Sequence, residues 1–132
     1  MRTIINQEVR AYVNADYVIA FPAVPIVYDN QPFDWNNPPD LYITLEVKPY
    51  AGRQISLGSN KTRMSGFIYV TAWVKEGDGT AEALQVLDWM EDKLGYAKLG
   101  ITQVEAPSPD EGENLKGWHT ESMKFAFYAD KP

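Results

Sequence analysis

The chain has no cysteine, which excludes disulfide scaffolds, thiolate chemistry and the common structural zinc sites. It has a single histidine, His119, so any general-base or metal proposal would depend on one ring. No apolar run approaches the roughly 20 residues that span a bilayer. The N-terminal stretch MRTIINQEVRAYV has neither an uninterrupted apolar region nor a small-residue cleavage site, so no secretory signal is expected and synthesis in the cytoplasm is. Basic residues are also in the minority, 12 against 18 acidic for a net charge of −6. That balance opposes phosphate-driven nucleic-acid binding as the main activity.

What is present belongs to a folded chain. Hydrophobic residues make up 45% of the 132 positions and aromatic residues 13%, well above a disordered composition. Residues 1–132 read as one domain, of a size that buries roughly two-thirds of its unfolded surface without staples. The charges are unevenly placed. Lys48, Arg53, Lys61 and Arg63 fall close together, whereas Asp110, Glu111 and Glu113 crowd a later stretch. Two solvated loops account for this, and so does complementarity between copies of the chain.

The spacing of Ile5, Val9, Tyr12 and Val13 predicts a helix over residues 3–16, with Thr3 as its cap. Pro22 and Pro25 force an extended path into a short strand, Ile26-Val27-Tyr28, and prolines 32, 38 and 39 make a loop. Leu41, Ile43, Leu45 and Val47 alternate with polar residues, a strand that Pro49 and Gly52 are expected to stop. From Phe67 to Lys75 one face is aliphatic (Ile68, Val70, Ala72, Val74) and the other aromatic (Phe67, Tyr69, Trp73) with Thr71, which predicts a central strand or one covered on its second face. After the turn at Gly77–Gly79, the residues Ala83, Leu84, Leu87, Met90, Glu91 and Leu94 trace a second helix. Glu82 sits in its first turn, Lys93 in its last and Gly95 just beyond. Leu99–Glu105 reads as a strand, residues 106–117 as a polar loop, and Trp118–Tyr128 as a final strand striped by Met123, Phe125 and Phe127. The expected fold is α+β, a mixed or antiparallel sheet with two helices on one side, in the order α-β-β-β-α-β-β. Leu45, Val70, Val74, Leu84, Leu87 and Phe125 are the expected core.

Reactive constellations are scarce. His119 lies between Trp118 and Thr120 with no nucleophile signature nearby, and a surface position explains it. Asp34 with Asp40, or Glu46 with Glu121, would supply paired carboxylates, but any chain with this many acids contains such pairs. The Gly77–Gly79 turn is too short for a phosphate loop and lacks its lysine. No catalytic residue, metal or cofactor is expected. The aromatic residues Trp35, Tyr42, Tyr69, Trp73 and Trp118 mark an interface or ligand platform where they face outward, while Trp89 is expected to pack.

The stretch from Gly52 to Gly79 joins a polar, basic segment to a long strand and a glycine-rich helix entry. In Gln54-Ile55-Ser56-Leu57-Gly58, Arg63, the strand to Val74, and Gly77 and Gly79, it resembles the signature region of phage tail terminator-like proteins, siphophage tail-completion proteins related to the lambda tail terminator. The segment Pro22–Trp35 and the strand Met123–Tyr128 follow the order expected of them. The resemblance implies a virion protein at the head-proximal end of the tail, made in the host cytoplasm. It would form a hexameric ring on the last ring of major tail tube protein, stop tube growth and meet a head completion protein, without membrane or sequence-specific nucleic-acid contact. From charge and position, Arg53, Gln54, Lys61 and Arg63 are the candidate interface. The alternatives are a small carbohydrate- or ligand-binding module using the aromatic strand face, or another non-enzymatic head-tail connector.

Overall fold

Apolar side chains four apart at Ile5, Val9, Val13 and Tyr17 line the buried face of the first helix, α1 (Arg2–Ala20). The computed structural model of the chain describes residues 1–28, 33–54, 62–110 and 117–131, with 51–54 as backbone only. The helix runs past the expected end at residue 16. Val18 and Ile19 lower helix propensity only modestly, and the first residue that forbids continuation is Pro22. Thr3 does not cap it. Met1 occupies that position without a side-chain bond, and its carbonyl accepts the Ile5 N–H at 3.0 Å.

Strand β1 (Ile26–Tyr28) lies parallel to β2 (Leu41–Gln54), which pairs antiparallel with β3 (Thr62–Lys75). Pro49 and Gly52 do not end β2. The Ile43 N–H donates to the Pro25 carbonyl at 2.9 Å, toward β1, and alternation sends the Pro49 nitrogen the same way, off β3. Among the described residues β1 pairs with Ile43–Leu45 alone, so the missing donor of Pro49 lies beyond that pairing and costs no bond to β3. A bulge follows between Pro49 and Ala51. There the backbones close in, and a Cβ on Gly66 would stand 2.2 Å from the Lys48 carbonyl oxygen. This is why glycine stands within β3, just before its aromatic residues.

Gly77 and Gly79, both at positive φ, turn the chain into α2 (Ala81–Leu94). Its buried stripe is Ala83, Val86, Leu87, Met90 and Leu94. Leu84, expected in the core, is instead 45% exposed. It sits one residue after Ala83, about 100° around the helix from the sheet-facing line. Glu82 and Lys93 occupy the first and last turns as expected. Gly95 follows the helix at φ −56, and the left-handed residue is its neighbour Tyr96.

The predicted strand Leu99–Glu105 is two strands, β4 (Lys98–Leu99) and β5 (Thr102–Asp110), turning at Gly100. The start of the predicted polar loop therefore belongs to β5. The Val104 N–H donates to the Ala97 carbonyl at 2.8 Å, away from the last strand, β6 (Trp118–Asp130). A bulge between Val104 and Pro107 keeps Val104 opposite Phe127, Pro107 opposite Phe125 and Pro109 opposite Met123. Both prolines thus lack their N–H on the outer edge, the one place in a sheet where nothing is lost.

The six strands lie in the order β1-β2-β3-β6-β5-β4. With one parallel pair among antiparallel ones, and both helices on one side, this is the α+β arrangement predicted, with one additional short strand. Ile43, Leu45, Val47, Ile68, Val70, Ala72, Val74, Phe125 and Phe127 meet the helices in one core.

Candidate functional site

Residues one step out of phase with that core face away from the helices. In register across β2, β3 and β6 they form rows: Tyr42, Trp73 and Thr120, then Thr44, Thr71 and Ser122, then Glu46, Tyr69 and Lys124. Asp110 of β5 extends the hydroxyl row beside Ser122. The aromatic end of this face is covered. Tyr42 stacks on Trp73 at 5.9 Å and 4°, with the Trp118 ring edge at 5.5 Å and Phe33 at 5.0 Å. Tyr42 is only 4% exposed, and burial raises its phenol pKa. Exposed aromatic surface is therefore found at Trp35, which is 61% exposed, and not at Tyr42, which faces away from the core but is covered.

Beyond the aromatic end lies a trough of about 330 Å³ floored by Thr44, Thr71 and Ser122, with Glu46 and Asp110 at its sides. Its groups are already ordered. Trp73 Nε1 donates to Thr44 Oγ1 at 3.1 Å, Ser122 Oγ donates to Thr71 Oγ1 at 3.0 Å, and Lys48 pairs with Glu46 at 3.1 Å while lying over the Tyr69 ring. The hydroxyls of Tyr50 and Tyr69 are 2.7 Å apart, and that bond, with some burial, pushes the Tyr69 pKa up to about 12. Such a surface offers hydrogen bonds and ring faces, the means of binding.

The basic segment is divided. Arg53 and Gln54 are strand residues, opposite Arg63 and Thr62 in register, and Lys61 lies outside the described residues. Arg63 is spent within the fold: Nε and Nη2 grip both oxygens of Asp130 at 2.7 and 3.1 Å, and the guanidinium lies 4.2 Å from the Tyr128 ring centre. Asp130 was not singled out from sequence, because only the β3–β6 register brings it opposite Arg63. Of the acidic stretch, Asp110 ends β5, while Glu111 and Glu113 lie outside the described residues.

The carboxylate pairs do not assemble. Asp34 accepts the Asn36 N–H, and Asp40 pairs with Lys75 at 3.8 Å. Glu46 is in register with Tyr69 and Glu121 with Ala72, so the two occupy opposite faces of the sheet. His119 Nε2 lies 2.8 Å from Glu121 Oε1 in an exposed pair. Among the described residues no group of three or more acids and histidine has metal-ligand geometry.

The helix layer has its own order. Lys93 of α2 is ion-paired to Asp16 and lies 4.2 Å from the Tyr12 ring centre, and Trp89 packs edge-on against Tyr17 and Phe21 at 5.7 and 5.9 Å. Rising numbers on α1 meet falling numbers on α2, so the helices are antiparallel. Trp89 packs as expected. Glu8 anchors α1 to the β4–β5 turn, accepting the Ile101 N–H at 3.0 Å and the Thr102 hydroxyl at 2.9 Å. On the other side of α1, Arg10 lies over the Tyr28 ring and Asn14 accepts the Tyr28 hydroxyl. Burial, opposed by Arg10, pushes the Tyr28 pKa up to about 12.

No protein-family model matches the chain, and no curated protein matches it in sequence. A solved structure that carries no functional name has the same fold, with a TM-score of 0.73 at 19% identity over 98% of this chain and 95% of that one. At that identity the likeness shows architecture alone, over nearly the whole chain.

Proposed function

We propose that this chain is a tail terminator-like assembly protein without catalysis of its own. It joins copies of itself in a ring on the end of a phage tail tube, stops tube growth and offers its other face to a head completion protein. The observation that carries this reading is the make-up of the Gly52–Gly79 stretch, which supplies in order the end of the β2–β3 hairpin, the central strand and the two-glycine entry to α2. Proline on the outer edges of β2 and β5 supports it indirectly. Such edges resist strand addition, which leaves side-chain surfaces for contacts between copies. Arg53 and Gln54, at the end of β2, and Lys61, outside the described residues, remain the candidate tube or subunit contact, whereas Arg63 pairs with Asp130.

Light scattering and electron microscopy of the purified protein, alone and mixed with tail tubes, test the reading. Rings, or tubes capped at one end and arrested in length, are expected. A strict monomer that neither binds nor arrests tubes overturns it. The trough on the open sheet face favours one second reading, a module that binds a polar ligand such as a saccharide between Trp73 and the hydroxyl row. Calorimetric titration with saccharides decides that reading, with loss of binding expected on Trp73→Ala.

A further inference from the structure

The antiparallel helix pair has two outer flanks, and they differ in sign. On α1 the side turned to α2 carries Tyr12 and Asp16, so the opposite side carries Thr3, Asn6, Gln7 and Arg10, at helical spacing. With Arg2 these residues line a recess of about 370 Å³. The helix has two acids, and neither faces this recess: Glu8 is bonded to Ile101 and Thr102, and Asp16 to Lys93. On α2 the side turned to α1 carries Trp89 and Lys93, the only cation of that helix. Its far side and outer surface carry Leu84, Asp88, Glu91 and Asp92, all exposed. Glu91 also borders a groove of about 240 Å³ with Pro107, Pro109 and Met123.

We infer that copies of this chain join through these two flanks, the acidic α2 flank of one copy against the basic α1 recess of the next, with Leu84 as the apolar contact. Charge complementarity selects a second copy in this relation. Joining two α2 flanks, or two α1 flanks, brings like charges together, so the symmetric dimer is disfavoured and the head-to-tail contact remains. Arg10 enters the contact already oriented by the Tyr28 ring, which lowers the ordering cost of using it. Because each copy presents one flank of each kind, the contact repeats, and a rotation that closes gives a ring. The inference rests on the assembly reading and adds the surfaces through which assembly occurs.

The cysteine-free chain makes the test direct. Leu84→Cys and Gln7→Cys variants are oxidised separately and as a mixture, at low salt and on tail tubes, and thermal melts confirm that each folds as wild type. The mixture is expected to form disulfide-linked dimers and the separate variants none, while the double variant forms a ladder ending at the ring. Asp88→Lys with Glu91→Lys on the Leu84→Cys chain should cut the mixed dimer at least about tenfold, and Arg2→Glu with Arg10→Glu on the Gln7→Cys chain should restore it. Disulfides between two Leu84→Cys chains, or wild-type rings without the mixed disulfide, overturn these surfaces and leave the assembly reading standing. A wild type that stays monomeric with and without tubes overturns both.

Discussion

The two faces of the sheet are built from the same strands and obey different rules. On the helix side Ile68, Val70, Ala72, Val74 and Phe125 are buried among apolar neighbours. Volume and rotamer decide what fits there. On the open side the intervening residues Phe67, Tyr69, Thr71 and Trp73 are half-buried, and hydroxyls, carboxylates and ring faces satisfy one another. A substitution on the first face is therefore expected to be read in stability, and one on the second in what the surface recognises.

The largest effect should come from Phe125→Ala, which empties a wholly buried site opposite Ile68 and should cost about 3–5 kcal/mol in chemical denaturation. Ser122→Ala, on the open face of the same strand, should stay within about 1.5 kcal/mol, the worth of one hydrogen bond. Equal losses at the two positions would erase the distinction between the faces.

The same contrast exists within one helix. Leu87→Ala should cost about 2–5 kcal/mol, and Leu84→Ala, exposed three residues earlier, no more than about 0.5 kcal/mol. A large loss at Leu84 in the monomer would mean that this flank is covered within the chain and unavailable to a neighbour.

Between the two regimes lies Arg63–Asp130, at the end of the sheet. Its side chains are 31% and 44% exposed, so a double-mutant cycle of Arg63→Ala and Asp130→Ala should return a coupling no larger than that of an ordinary surface ion pair, smaller still at high salt. A coupling several times larger would make this pair a fold-defining clamp.

The last effect is one of pH. Tyr28 has a folded-state pKa of about 12 against an ordinary 10.0, so the folded chain holds that proton more tightly. Its contribution is fully present below about pH 10 and is lost as pH rises through 12. Tyr28→Phe should flatten that part of a stability-against-pH curve, and an unchanged slope would assign the alkaline loss to other groups.

How far the sequence could be read follows from the same contrast. Strand β3 and helix α2 were legible because their apolar periods are long and point at one core. The wrong facing of Leu84 arose because Leu84, Leu87 and Glu91 keep helical spacing alongside the true stripe of Ala83, Val86, Leu87 and Met90. Proline announces both loops and edge strands, so Pro107 and Pro109 look like loop residues in the sequence, and only the bulge after Val104 sets which edge they face. Of the candidate interface, Arg63 is paired with Asp130, a partner that sequence spacing does not reveal. The two charged flanks were hidden for a related reason: they exist only once α1 and α2 lie side by side.

The order of the strands carries one more consequence. Among the described residues the sheet's two parts, β1-β2-β3 and β5-β4, pair with each other only through β6, the last of these strands in sequence. A chain still short of β6 therefore holds two half-sheets unjoined by strand pairing, although Glu8 of the first helix already has Thr102 to bond. Such long-range closure slows folding, and it makes the arrival of β6 the event that joins the two half-sheets into one core.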